Sequence, residues 1–196
     1  MHILRKLYDW VLTWAYSRYA VPALFILAFS ESSFFPIPPD VLLMALAISI
    51  PSKSFYYAFV CSIGSVIGGM FGYLIGYEFM ERIGCRIVEL YGFAEKWDYV
   101  GSLYNTYAGW AVAIAGFTPI PYKIFTIAGG AFKIDFTIFM MASVLSRSAR
   151  FFLVGALIYF FGPPIRSFID KYFNLLAVVF MILLIGGFIV IKHAIQ

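Results

Sequence analysis

Two short stretches decide the architecture: ESSFFPIPPD at residues 31–40 and GFTPIPYK at residues 116–123. Each sets a Pro-Ile-Pro run inside apolar sequence, closed by Asp40 in the first and Lys123 in the second. Proline removes a backbone donor and its ring clashes with the preceding turn, so a helix stops there. Pro36, Pro38, Pro39, Pro119 and Pro121 are therefore read as breaks. The limbs beside the first break, Val21 to Phe35 and Val41 to Ile50, fall short of the roughly 20 residues that cross a bilayer. Re-entrant hairpins are expected, with their non-helical tips covered by protein or water.

The rest of the composition agrees with a lipid solvent. Hydrophobic residues make up 63% of the 196 and charged residues 12%, against roughly 45–50% and about 25% in soluble domains. The net charge of +4 is dispersed, which suits anionic headgroups and gives no basic run for nucleic acid. Both histidines, His2 and His193, lie at the chain ends. That removes most histidine-based catalysis and metal sites, and no nucleotide or hydrolase motif is present. The chain reads as no enzyme, with no metal and no cofactor. Cys61 and Cys85 sit too far apart along one helix, roughly 36 Å, for a disulfide.

One membrane domain is expected over residues 1–196. Residues 1–19 read as an amphipathic interfacial helix, with the start of a longer helix as the equal alternative. Residues 20–79 form a first repeat, 80–107 a charged interfacial connector, 108–161 a second repeat and 173–191 a C-terminal transmembrane helix. The spans proper are 54–79 and 136–161. Gly64, Gly68, Gly72 and Gly76 recur every four residues in the first, a face that invites close backbone approach. The internal hairpin is its favoured partner, a homo-oligomer the alternative.

The broken segments align with a shift of 83 residues, Asp40 falling on Lys123, Ser52 on Asp135 and Gly72 on Gly155. Ser52 and Asp135 both suit the N-cap of the following span. A re-entrant hairpin returns to its side of entry and the next helix crosses. The second hairpin then enters from the opposite side, which makes the repeat inverted, a transporter signature. Basic residues divide almost evenly between the two sides and leave orientation open.

Five ionisable residues fall at apparent membrane depth: Glu31, Asp40, Lys123, Arg147 and Arg150. Each is costly there and marks function by default. Arg147 and Arg150 share a helix face with Ser143, and with Lys123 they suggest a three-cation pocket for a phosphate head. Glu31 and Asp40 are the candidates for proton coupling. The bland alternative is a set of buried salt bridges that only hold the repeats together.

At Glu31-x4-Pro36-Ile-Pro-Pro-Asp40 and Gly116-Phe-Thr-Pro119-Ile-Pro-Tyr-Lys123 the chain resembles the DedA family, which carries the VTT or SNARE-associated Golgi protein domain. Ser146-Arg147-x2-Arg150-Phe-Phe brings it nearest the YqaA-like bacterial branch. The likeness runs over roughly residues 20–165. It implies opposed re-entrant hairpins and a multi-pass protein of the bacterial inner membrane. It also implies flipping or scrambling of undecaprenyl phosphate or a phospholipid, linked to the proton motive force and envelope homeostasis. The family's essential acidic pair matches Glu31 and Asp40. Phe117 and Lys123 stand where typical members carry arginine, which leaves the substrate open, with Arg147 and Arg150 as candidates to supply the charge. A carrier of a small ion or solute, and a non-transporting structural protein, are the rival functions.

Overall fold

The computed structural model describes residues 19–34, 38–92, 94–118 and 120–162. The expected N-terminal amphipathic helix, the C-terminal span, Pro36 and Pro119 lie outside them. The described residues are helical, with no strand among them. In order they form α1 (Ala20–Ser33), α2 (Asp40–Ser49), a 3₁₀ turn (Pro51–Lys53) and α3 (Ser54–Phe79). A π turn (Met80–Gly84) then leads to α4 (Cys85–Leu90), α5 (Ala94–Phe117), α6 (Tyr122–Ala131) and α7 (Phe136–Gly162).

The helices stop where the prolines require. α1 ends at Ser33 and α5 at Phe117, and α2 and α6 begin directly after Pro39 and Pro121. Proline suits a helix start because the first N–H groups have no intrahelical partner. The interval 80–107 resolves into the π turn, α4 and the first half of α5, which runs unbroken through residue 107. Asp135 caps α7: its Oδ1 accepts the backbone N–H of Thr137 at 2.8 Å and of Ile138 at 3.0 Å. Those two bonds, Ile138 first, hold its carboxyl below the usual range. Ser52 gives no such cap; it sits in the 3₁₀ turn, and α3 starts at Ser54 without a side-chain cap.

Among the described residues, two helices are long and apolar enough to cross a membrane: the continuous helix from Pro51 to Leu90, built on α3, and α7. Each carries limbs from both broken segments. α1 and α6 lie along α3. α2 packs on α7 through Leu42, Leu43 and Leu46 with Phe151 and Ile158, and α5 does so through Ala108, Val112 and Ala115 with Phe139 and Ala142. Large apolar side chains such as Ile26, Phe59, Leu74, Trp110, Leu145 and Phe160 remain exposed, as a lipid-facing surface would leave them.

The glycine face of α3 explains how two limbs fit on one helix. A Cβ at Gly64 would stand 2.7 Å from the Phe25 carbonyl oxygen of α1, and one at Gly68 would meet the Phe29 carbonyl. Gly72 lies against Thr126 and Gly76 against the Ile127 carbonyl, both of α6. Gly130 of α6 returns the contact, meeting the Tyr73 carbonyl. Without a hydrophobic drive between helices in lipid, such close backbone packing supplies much of the association. The Ser33 hydroxyl adds a bond to the Gly68 carbonyl at 2.8 Å.

Gly76→Ala and Gly68→Ala should therefore each destabilise the protein by about 1–3 kcal/mol through overpacking against backbone. Gly162→Ala, whose Cβ would meet no described residue within 4 Å, should cost less. Thermal unfolding in a mild detergent measures this; equal behaviour of the three variants would contradict the packing.

Candidate functional site: the ion-paired junction of the two breaks

The ends of α1 and α5 and the starts of α2 and α6 converge on the middle of α3 and α7. The Thr126 hydroxyl of α6 donates to the Ser32 carbonyl of α1 at 3.1 Å, a direct bond between the two broken segments. Ser32 and Ser65 share a hydroxyl–hydroxyl bond of 2.7 Å. Into this polar junction α7 sends Arg147 and Arg150, one turn apart.

Arg147 is the more deeply placed, its side chain 3% exposed. Its Nη2 donates to Glu31 Oε2 at 2.7 Å, and its Nε donates to the Ser65 hydroxyl. The guanidinium lies 4.9 Å from the Tyr122 ring centroid and 4.7 Å from that of Phe151. Aromatic faces attract a desolvated cation, and arginine suits such stacking better than lysine. Tyr122 is fully buried, and its hydroxyl donates to Ser143. Ser143 thus orients the ring under the arginine.

Arg150 joins both breaks. Its Nη2 and Nε reach Asp40 Oδ2 and Oδ1 at 2.9 and 3.3 Å, a two-pronged grip on the carboxylate. Its Nη1 donates to the Thr118 carbonyl at 2.7 Å. That carbonyl directly follows the last residue of α5, without an intrahelical partner and at the negative end of the helix dipole. One cation therefore satisfies the acid that opens α2 and the backbone that closes α5.

The structure thus brings Glu31, Asp40, Arg147, Arg150 and, through Tyr122, Ser143 together. Both arginines face carboxylates, and the Lys123 side chain makes no hydrogen bond or ion pair with a described residue. Lys123 sits in the first turn of α6, where the helix dipole favours an anion rather than a cation. Ser32, Ser65, Tyr122 and Thr126 complete the junction without having been singled out from the sequence. One signal was available for Tyr122: it falls on Pro39 under the 83-residue shift, and both are fully buried. Another was available for Ser65, which adjoins Gly64 on the bare face of α3.

A family model described as the VTT domain matches residues 37–160. The chain is similar to an uncharacterized protein of Haemophilus influenzae, 34% identical over 98% of this chain and 100% of that one. A protein of Histophilus somni is 35% identical over the same shares. A protein of the archaeon Methanocaldococcus jannaschii is 30% identical over 67% of this chain and 79% of its own length. No solved structure matches.

Removing one partner of a buried pair leaves an uncompensated charge, so Arg147→Ala should cost about 3–5 kcal/mol. Arg150→Ala should cost less, about 1–3 kcal/mol, because Arg150 and Asp40 are 20% and 18% exposed. Unfolding in detergent distinguishes them; a larger loss for Arg150→Ala would overturn this ranking.

Proposed function

The chain belongs to the VTT-domain family, and from that premise we propose that it moves a phosphate-bearing lipid, such as undecaprenyl phosphate or a phospholipid, across the bacterial inner membrane. The observation that carries the reading is Arg150, held by Asp40 and by the Thr118 carbonyl at once. A phosphate that takes this guanidinium must release both breaks together. Binding and opening are then a single event.

The carboxylates give the event a proton dependence. Arg147 and Arg150 are neutralised by Glu31 and Asp40. An anionic head can reach them only by displacing a carboxylate, and protonation removes that competitor. Acid on one side favours loading and release of the proton on the other restores the pairs. Lys123, at the positive end of α6 and without a described anion, serves as the first attraction for the head. Arg suits the phosphate itself because its fork matches two oxygens.

Alternating access follows from the same reading. The breaks are tips of re-entrant hairpins in an inverted repeat, about an axis in the membrane plane. Support comes from the helix boundaries, since α2 and α6 begin, and α3 and α7 begin, at positions that agree within one residue under the shift of 83. It comes also from the ion pairs, in which each arginine of the second repeat holds an acid of the first.

A purely structural role is favoured by one observation, the mutual satisfaction of the four paired charges. Proteoliposome assays separate the two. The expected result is headgroup translocation above empty vesicles, faster with an imposed pH gradient and lost in Arg147→Ala/Arg150→Ala. No movement of any phosphate lipid would leave the structural role.

For the architecture, cysteines introduced at Ile37 and Ile120 should label from opposite sides of the membrane. Labelling of both from one side would contradict the inverted repeat.

A further inference from the structure

A second set of irregularities gathers where α3 leaves the apolar region. The helix widens into the π turn Met80–Gly84, a feature that often marks function. Beside it a recess of about 340 Å³ opens between α5 and the end of α6. Trp97 and Phe132 form an aromatic wall, their rings stacked at 4.3 Å. Asn105 ties that wall down by donating to the Phe132 carbonyl at 3.2 Å. Asp98 stands exposed on one side with no salt bridge to a described residue. Lys133 lies on the other, half exposed, 3.5 Å from Glu81.

Lys133 is placed at a cost. With φ at 52° it is the only non-glycine among the described residues in the left-handed region. It ends α6: its N–H donates to the Gly130 carbonyl and that of Ile134 to the Gly129 carbonyl, a terminator whose left-handed position is usually glycine. A lysine elsewhere in the last turn would serve the helix dipole without this strain. Lys133 lines the recess, and its ammonium lies at the rim, 4.9 Å over the Tyr77 ring and beside Glu81.

We propose that this recess docks the head of a zwitterionic aminophospholipid from the adjoining leaflet, its phosphate toward Lys133 and its ammonium toward Asp98 and Trp97. Charge complementarity selects that occupant. A purely anionic head would face Asp98 and Glu81, and a neutral one would leave Asp98 unmatched; a phosphate competes with Glu81 for Lys133, since that exposed pair is weak. The level suits it too, since α3 has just ended and tryptophan favours the membrane interface. Met80 lines the recess some 15 residues along α3 from Ser65, about 22 Å at 1.5 Å per residue. The site therefore stands apart from the paired arginines and does not rest on the transport reading.

Cys85 lines the recess and is exposed, whereas Cys61 is buried, so the native chain carries its own probe. The full chain in detergent is titrated with a short-chain phosphatidylethanolamine and separately with the matching phosphatidylglycerol, and alkylation of Cys85 by N-ethylmaleimide is timed. The first lipid should slow the reaction saturably and the second should not. Asp98→Asn and Lys133→Gln should each weaken that protection about fivefold. Equal protection by both heads, or full protection in both variants, overturns the proposal. Protection that persists in a preparation unable to translocate lipid supports the recess and counts only against transport.

Discussion

Hydrocarbon offers no partner to a broken backbone, and the structure is organised around that fact. Every helix end inside lipid leaves carbonyls or N–H groups that water would otherwise satisfy. Two such ends per break must be covered by protein. The bare face of α3 lets the chain of α1 and α6 come close enough to do this, and a serine, a threonine and an arginine complete the bonding. The charges follow from the same need: once Arg150 satisfies the Thr118 carbonyl, its own charge requires Asp40.

The pairs are neutral but not inert. A charge-assisted bond between groups of low exposure is strong while both partners are charged and collapses when one is neutralised. The stacked Tyr122 and Phe151 rings give Arg147 a second hold that does not depend on Glu31. Arg150 has no described ring beneath it and is more exposed, 20% against 3%. The two arginines are thus unequal, one fixed in the core and one at its margin.

Much of this was legible in the sequence because lipid imposes simple lengths and prohibitions. The apolar runs 54–79 and 136–161 correspond to α3 and, within one residue, to α7. Proline marked where α1 and α5 stop. The extent of α5 was hidden, since its first half from Ala94 carries Asp98, Ser102 and Asn105 and reads as an interfacial segment. The hydroxyl network was hidden as well. Ser32, Ser65 and Thr126 have no periodic or charge signal, and their roles arise only when segments far apart in sequence meet. The cations were visible but not their partners: shared depth suggested a cluster, whereas each arginine is drawn to the acid of the other repeat.

The long separations in those pairs carry a consequence for biogenesis. Glu31 and Arg147 lie 116 residues apart, and Asp40 and Arg150 lie 110 apart. At ribosomal speeds of about 5–20 residues per second, roughly 6–23 s pass between synthesis of an acid and of its arginine. Through that interval the first broken segment exists without either of the arginines that pair with it. The order acid first, arginine last means that neither ion pair can form until α7 has been made, so the bonds that join the two broken segments close late in assembly.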